Sequence, residues 1–337
     1  MMLIRHKAAP NPLVGWQVDS AAIRTVGHDL ERPESILAER DGSLWAADGR
    51  GGLTHIRPDG RQRLIRPEGA PNGFLPNGLA LARNGELLIA DFGGEALVTM
   101  DRDGRCRTLF DSIDGTPLGK VNFVLRDRRD RLWITVSTKL DPWPTAACKH
   151  QCDGYIVLAD EHGLRIVADG LVFANECRLD ADEEWLYVVE SCARRVSRFR
   201  VGANGSLSGR EVYGPSSLGS GAVDGIAFDA YGNLWTTMIF SDRLVAITPE
   251  GETLTLFADG DVEAAARFDA ELDSGAVVAP ETMAATGGVI APWLTSLTFG
   301  GPDLRTVYLG SVKGRTIPYF EAPVAGAPMV HWSEGTP

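Results

Sequence analysis

A motif that occurs six times along the chain constrains its fold more than any other feature. Each copy begins with a small polar or acidic residue and continues into a run typical of β-strands, and in four copies a large apolar residue follows 11 positions later. The polar positions are Glu34, Asn77, Asn122, Asn175, Asp224 and Ser296. They lie 43, 45, 53, 49 and 72 residues apart, and repeats of about 40–50 residues are typical of propeller blades. If each copy folds alike, the six side chains converge on one axis.

The fifth copy indicates what one repeat contains. In residues 226–228 apolar and small residues alternate, as they do in a half-buried strand, and 229–233 is a turn cluster with glycine. Residues 234–237 then predict a second strand, and 243–247 and 253–256 predict two more. Four short strands in succession are typical of a propeller blade.

These repeats predict an all-β fold, a six-bladed β-propeller of four-stranded antiparallel blades. We expect a single domain over residues 1–337, with blade repeats that start near residues 30, 74, 119, 171, 221 and 291. Two blades carry insertions, at about 137–153 and 259–288, and residues 262–268 predict a short helix in the second. We expect the ring to close where residues 21–26 pair with strands near 329–332.

Composition excludes several classes of function. The net charge is -12 and no basic run occurs, so we expect no nucleic-acid partner. No apolar run reaches 18 residues, and the first 20 lack the apolar core of a signal peptide, so we expect no membrane association and a cytoplasmic location. Cys148 and Cys152 flank His150, but this spacing does not suit a closed zinc site. The oligomeric state is left open.

The axial positions carry two carboxylates and three amides. Crowding such groups on one axis is costly unless a cation compensates them, so we expect a divalent metal ion on the central axis. No His or Cys occupies these positions, which favours a hard ion such as Ca²⁺, Mg²⁺ or Mn²⁺. In a second interpretation, Asn77 and Asp224 are only turn residues, because Pro-Asn-Gly and Asp-Gly are good turn sequences. Glu34 and Asn122 do not fit it, because Pro-Glu-Ser is not a turn sequence of that kind and Asn122 is flanked by residues typical of strands, Val121 and Phe123.

Over nearly its whole length the chain resembles the SMP-30/gluconolactonase/luciferin-regenerating-enzyme family of six-bladed propellers. The most specific segments are residues 32–34, 224–235 and 295–304. The resemblance implies one divalent metal on the axis, with Ca²⁺ as the expected ion and Mg²⁺, Mn²⁺ or Zn²⁺ as alternatives. The metal ligands that it implies are Glu34, Asn175 and Asp224.

The resemblance also implies a role in substrate binding for Asn122 and for the basic residue two positions before it, Lys120. The chain departs from the family in two places. Relatives often have Asn-Asp-Gly where this chain has Asn122-Phe123-Val124, and Asn-Gly where it has Asn175-Glu176. Glu176 therefore either adds a third carboxylate near the site or points into a blade.

These residues predict a metal-dependent hydrolase that opens a lactone, either a sugar lactone or another cyclic ester, with metal-activated water. We expect Asp224, Lys120 and Asn122 to be the catalytic residues, with Asp224 assisting proton transfer and Lys120 stabilising the oxyanion. Lys120 could equally be a solvated residue at a strand end. The predicted substrate-binding residues are Asn122, Lys120, Asn77, Glu176, Trp143 and His150.

Two alternative functions stay open. A similar propeller could hydrolyse another ester, such as an organophosphate, or could be a binding protein with a structural metal. Several aromatic residues recur at one position of the repeat and therefore predict the packed core of the blades rather than a binding surface. They are Trp45, Trp133, Trp185, Trp235 and Phe299.

Overall fold

Five repeats each fold into one four-stranded antiparallel sheet, and the sixth supplies three strands of another, in the computed structural model, which describes residues 10–334. The predicted domain also includes residues 1–9 and 335–337, which lie outside the described residues. Neighbouring strands in the chain pair with each other, from the innermost strand of a blade outwards. The prediction of an all-β, six-bladed propeller with four-stranded antiparallel blades is confirmed.

The first half of the chain forms three blades, preceded by one strand that belongs to blade 6. This strand is β1 (Arg24–Val26), which follows a short 3-10 turn, Ser20–Ala22. Blade 1 contains β2 (Ile36–Ala38), β3 (Leu44–Asp48), β4 (Gly52–Ile56) and β5 (Gln62–Ile65). Blade 2 contains β6 (Pro76–Leu81), β7 (Leu87–Asp91), β8 (Ala96–Met100) and β9 (Cys106–Phe110), followed by a small hairpin of β10 (Ser112–Ile113) and β11 (Thr116–Pro117). Blade 3 contains β12 (Val121–Arg126), β13 (Leu132–Val136), β14 (Gly154–Asp160) and β15 (Gly163–Leu171), with a 3-10 turn, Trp143–Ala146, in its insertion.

The second half forms the other blades and three helices. Blade 4 contains β16 (Ala174–Leu179), β17 (Trp185–Glu190), β18 (Arg195–Val201) and β19 (Leu207–Tyr213), with a 3-10 turn at Ser191–Ala193. Blade 5 contains β20 (Ala222–Phe228), β21 (Leu234–Ile239), β22 (Arg243–Ile247) and β23 (Thr253–Ala258). The helices α1 (Val262–Ser274) and α2 (Pro280–Ala284) follow, then blade 6 with β24 (Leu294–Gly300), β25 (Thr306–Ser311) and β26 (Ile317–Glu321), and finally α3 (Val330–Ser333).

The innermost strands of the blades surround the axis. Each of them contacts the innermost strand of the next blade, and β24 of blade 6 contacts β2 of blade 1, so the ring is closed. Apolar side chains pack between the sheets of neighbouring blades and form the core clusters. The polar residues at the start of the innermost strands are therefore held by a packed ring.

The ring closes through β1, which supplies the outermost strand of blade 6. It pairs antiparallel with β26, with Thr25 opposite Pro318. The expected partner near residues 329–332 is wrong, because that segment forms α3 instead of a strand. Trp332 of α3 is buried in a cluster with Ile36, and a ring nitrogen of His331 lies 3.0 Å from the carbonyl oxygen of Ala38. The C-terminal segment thus packs against blade 1.

Three of the four recurring tryptophans are core residues, as predicted. Trp45, Trp133 and Trp235 are fully buried. Their indole N–H groups donate to the carboxylates of Glu39, Asp127 and Asp229, at 2.6, 3.0 and 2.9 Å. Phe299 is buried beside Trp235, whereas Trp185 is half-buried beneath two arginine side chains. Among residues 10–334 the longest helix, α1, has 13 residues, and none has the length and apolar character needed to span a membrane.

Candidate active site

The polar residues of the motif lie at irregularities of the innermost strands. The pairing register of five of these strands shifts at the polar position, between Pro76 and Leu79, Val121 and Phe123, Ala174 and Cys177, Val223 and Ile226, and Leu294 and Leu297. A bulge leaves a residue without a cross-strand partner and changes the direction of its side chain. Asn77 and Asp224 lie inside β6 and β20, so they are not only turn residues.

Glycine after the polar residue allows neighbouring innermost strands to approach closely. A Cβ atom at Gly225 would lie 2.6 Å from the carbonyl oxygen of Thr295 and 2.7 Å from the Cα atom of Ser296. A Cβ atom at Gly78 would lie 2.7 Å from the Cα atom of Phe123. These are backbone contacts that cannot relax cheaply, so the Asn-Gly and Asp-Gly sequences serve close strand packing.

The polar side chains form the floor of a cavity of about 160 Å³. The floor consists of Arg32, Glu34, Asn77, Asn122, Asn175, Ser191, Asp224 and Thr295. The other residues that line the cavity are apolar, and they come partly from the two insertions. A second cavity of about 10 Å³ shares the axial residues and is also lined by Glu176 and Ser296. Its volume is close to that of a single water molecule.

Hydrogen bonds hold the floor in one arrangement. Arg32 forms an ion pair with Glu34 and donates from Nη2 to Asn77 Oδ1 at 2.8 Å. Asn77 Nδ2 donates to the backbone oxygen of Asn122 at 3.1 Å, whereas Asn122 Oδ1 is buried and has no hydrogen-bond partner among the described residues. The Asn122 amide oxygen is therefore available to a ligand.

On the opposite side of the axis, Asn175 Nδ2 donates to Ser191 Oγ at 3.2 Å. The Thr295 hydroxyl donates to the backbone oxygen of Glu34 at 2.9 Å, which joins blade 6 to blade 1. These bonds fix the backbone and side chains of the floor before any ligand binds.

Three floor residues were not among the predicted site residues: Ser191, Thr295 and Arg32. The charged one is Arg32. It lies two positions before Glu34, the same spacing that separates Lys120 from Asn122. Its guanidinium also donates from Nη1 to the backbone oxygen of Pro76, at 2.9 Å. Arg32 thus connects blades 1 and 2 at the axis.

Three buried carboxyl groups meet at the axis, and each has a raised pKa. Burial is the largest cause for Glu34, for Asp224 and for Glu176, whose pKa is raised to about 7. The pKa of Asp224 lies well above its ordinary value, because the charges of Glu34 and Glu176 add to the effect of burial. Glu176 Oε2 is paired with Arg178 Nη2 at 2.8 Å. Without a compensating cation, full ionisation of this cluster is unfavourable.

The structure brings some of the predicted site residues together and separates others. Glu34, Asn77, Asn122, Asn175, Asp224 and Trp143 line the larger cavity, whereas Glu176 lines only the smaller one. Lys120 does not line either cavity, and its Nζ atom lies 2.7 Å from Glu95 Oε1 and 3.2 Å from Asp141 Oδ1. Burial alone would lower the pKa of Lys120, but these two carboxylates raise it.

The remaining predicted residue, His150, is exposed and does not line the cavity. Its ring packs against Gly275, at the end of α1. Within residues 10–334 no group of three or more His, Cys, Asp or Glu residues is arranged to hold a metal ion. The predicted ligand set differs from such groups, since it combines the two carboxylates of Glu34 and Asp224 with the amide oxygen of Asn175.

A family model described as the SMP-30/Gluconolactonase/LRE-like region matches residues 32–259. The match begins at Arg32 and includes the first five axial positions, while Ser296 lies beyond its end. Two thirds of the chain, including most of the cavity floor, are thus covered by one family model.

Two relatives with lactonase names match the chain at low identity. A pentonolactonase of Haloferax volcanii is 26% identical over 229 residues, which are 64% of this chain and 67% of that protein. A 6-deoxy-6-sulfogluconolactonase of Pseudomonas putida is 24% identical over 154 residues, which are 45% of this chain and 43% of that protein. The chain therefore spans less than half the length of the second relative.

Solved structures share the architecture. A gluconolactonase from Xanthomonas campestris superposes with a TM-score of 0.65 at 18% identity, and the match covers 93% of this chain and 94% of that one. Regucalcin from Agrobacterium tumefaciens, described as a calcium-binding protein, superposes with a TM-score of 0.66 at 16% identity and covers 90% and 96%. At such identities the likeness establishes the propeller fold alone.

Proposed function

The chain belongs to the SMP-30/gluconolactonase/LRE-like family, and we propose that it is a lactonase that depends on a divalent metal ion on the propeller axis. The observation that carries this proposal is the cluster of buried carboxylates and amides at the floor of an otherwise apolar cavity. The lactonase names of two relatives support the reaction class.

The donor set at the axis fits a hard divalent cation. Glu34, Asn175 and Asp224 would hold the ion through oxygen atoms, which Ca²⁺ and Mg²⁺ prefer. The raised pKa values of Glu34 and Asp224 support this fit, because a cation would neutralise the charge of the two ionised carboxylates. The Asn122 Oδ1 atom, which has no hydrogen-bond partner among the described residues, supports it too, because it could contact the ion or a water bound to it. We propose Ca²⁺, in line with the similar calcium-binding protein, with Mg²⁺, Mn²⁺ and Zn²⁺ as alternatives. When bound, the ion would polarise the lactone carbonyl.

The residues of the chain would then position the reactants and move protons. Asp224, a buried carboxyl group on the axis that lines the cavity, would accept a proton from the attacking water. Asn122 would orient that water through its free Oδ1 atom, and Asn77 is held in place for the same purpose by Arg32. The predicted substrate contacts of Lys120 and His150 stay predictions, since both residues lie outside the cavity lining.

The experiment that tests this function is a metal-dependence assay. Chelated protein is assayed on sugar lactones, hydrophobic lactones and a phosphotriester, with Ca²⁺, Mg²⁺, Mn²⁺ or Zn²⁺ added back. We expect one of the ions to restore lactone hydrolysis, and Asp224→Ala to lower kcat/KM by roughly 100-fold or more. Glu184→Ala, at an exposed pair with Arg200, is the control that should keep full activity.

Two outcomes contradict the proposal. If the ion binds and raises the Tm but no lactone is hydrolysed, the ion is structural and the protein has another role. If lactones are hydrolysed equally well by chelated protein, the axial residues catalyse without a metal.

A further inference from the structure

The walls of the cavity indicate what kind of lactone it accepts. We infer, on the basis of the proposed function, that the substrate carries a compact apolar group of about the size of a phenyl ring in place of sugar hydroxyls. Of the 22 residues that line the cavity, 14 are apolar, and the polar ones lie together at the axis. A ligand in this cavity has one polar end and one apolar end.

Both insertions contribute to the apolar part. The insertion in blade 3 provides Trp143, whose ring stands edge-on to Phe92 at 6.0 Å and to Phe173 at 5.9 Å between ring centroids. The insertion after blade 5 provides Phe268 and Met283. Part of the apolar lining therefore comes from segments that are additions to the repeat.

A second group of aromatic residues, Phe240, Phe268 and Trp293, also lines the cavity. The ring of Phe240 lies 4.4 Å from that of Phe268 and 5.1 Å from that of Trp293. The indole N–H of Trp293 donates to Thr286 Oγ1 at 3.0 Å. Its only polar atom is therefore engaged, and the ring presents carbon to a ligand.

The cover is fixed in place rather than loosely attached. The two insertions are joined by a hydrogen bond from Val278 N to the carbonyl oxygen of Ala147, at 2.9 Å. Arg194 of blade 4 is buried and pairs with Asp269 at 2.9 Å and Asp273 at 3.0 Å, both on α1. A preformed apolar site loses little free energy to ordering when it binds an apolar ligand.

A sugar lactone does not match these walls. Its hydroxyl groups would face aromatic and aliphatic carbon at the end remote from the axis, and burying a hydroxyl without a partner is costly. The polar groups of the floor lie together at the axis, and Arg32 and Asn77 are already bonded to each other and to backbone oxygens there, so they do not serve hydroxyl groups at the remote end. The volume of about 160 Å³ is close to that of an apolar cavity of ~150 Å³ that holds benzene.

The test compares an aromatic lactone with a sugar lactone. We expect the metal-loaded protein to hydrolyse dihydrocoumarin with a kcat/KM roughly 100-fold above that for δ-gluconolactone, after correction for spontaneous hydrolysis. Binding is measured separately by calorimetry with the non-hydrolysable lactams, dihydroquinolinone and gluconolactam. We expect Trp143→Ser to weaken dihydroquinolinone binding by about tenfold or more, and Val262→Ser, an 82% exposed position on α1, to leave it unchanged.

Equal or better hydrolysis or binding of the sugar compound would overturn the inference, as would unchanged dihydroquinolinone binding by folded Trp143→Ser. A second variant, Phe240→Ser, tests the other aromatic group of the cavity, which consists of Phe240, Phe268 and Trp293, by the same binding measurement. If no lactone is hydrolysed but dihydroquinolinone binds and Trp143→Ser weakens it, the lactonase proposal fails while the apolar specificity stands.

Discussion

Asp224 is buried beside two other carboxyl groups. This position lowers the stability of the metal-free protein, although the proposed function requires the carboxyl group there. Its raised pKa means that the folded protein retains the proton at a pH at which the unfolded chain has lost it. The free energy of unfolding without metal therefore falls as the pH rises above the ordinary value of 3.8. We expect Asp224→Asn in chelator to be more stable than the wild type by roughly 1–3 kcal/mol at neutral pH. Denaturant unfolding at pH 5 and pH 8 measures this.

The same variant should no longer gain stability from a divalent ion and should lose lactone hydrolysis. Asp242→Asn is the matched control, because Asp242 is also buried with a raised pKa but accepts backbone N–H groups of Gly288 and Leu294 at 2.6 and 2.9 Å. Replacing an acceptor there should destabilise the protein by about 1–3 kcal/mol. A loss of stability in Asp224→Asn under chelation would contradict the electrostatic account.

At the scale of single residues, the repeated motif made most of the polar floor of the cavity predictable. Glu34, Asn122 and Asp224 could be placed at one axis because they occupy the same position in successive copies of the motif. Arg32 could not, since its position at the axis depends on contacts with blade 2 as well as on its ion pair with Glu34. The ion pairs of Lys120, which lies outside the cavity lining, could not be predicted either, because Asp141 belongs to an insertion without a counterpart in the other copies.

At the scale of the strand, alternation of apolar residues predicts the innermost strands but not their bulges. A bulge depends on the register between two strands, and Val223 pairs with Met238 while Ile226 pairs with Thr236. No local property of the Asp224-Gly225 sequence specifies that shift. The bulge nevertheless determines that Asp224 faces the axis, so the site depends on an element that sequence patterns do not reveal.

Blade 4 contains a buried carboxylate that ties its strands together. Glu190 of β17 accepts hydrogen bonds from Arg195, from Ser197, from Arg210 and from the backbone N–H of Val172. Burial alone would raise the pKa of Glu190, but these donors lower it. Its contribution to stability is thus present above the ordinary pKa of 4.5 and is lost as the pH falls through the lower value of the folded state.

We expect Glu190→Gln to destabilise the protein by about 2–3 kcal/mol at pH 7, because two partly exposed arginines lose their buried partner. The difference from the wild type should shrink as the pH is lowered below 4.5. Glu184→Gln, whose exposed carboxylate lies 3.2 Å from Arg200, is the control and should change stability little. Urea unfolding between pH 3 and pH 7 measures both variants. A difference that is constant across this range would show that the charge of Glu190 is unimportant.

For the whole molecule, the number of blades and the N-terminal segment that closes the ring could be predicted from the sequence, but the strand with which that segment pairs could not. Six copies of one motif predict six blades, whereas β1 and β26 are short and carry no motif. Their pairing joins the two ends of the described chain and is recognisable only once the other strands of blade 6 are in place. Whether the propeller unfolds as one domain depends on this pairing.

The ring-closing pair offers a direct test of that dependence. Pro318 has no N–H group, so its pair with Thr25 is a non-hydrogen-bonded one, and the bonds fall at the flanking pair of Val26 and Ile317. Val26→Pro should therefore remove a ladder hydrogen bond that Thr25→Pro leaves intact. We expect Val26→Pro to cost about 2 kcal/mol more than Thr25→Pro and to lower the Tm of one cooperative transition. Separate transitions in calorimetry would mean that blade 6 opens independently and that residues 1–337 are not one cooperative domain. Equal effects of the two prolines would mean that the hydrogen bonds between β1 and β26 do not fall at the pair of Val26 and Ile317.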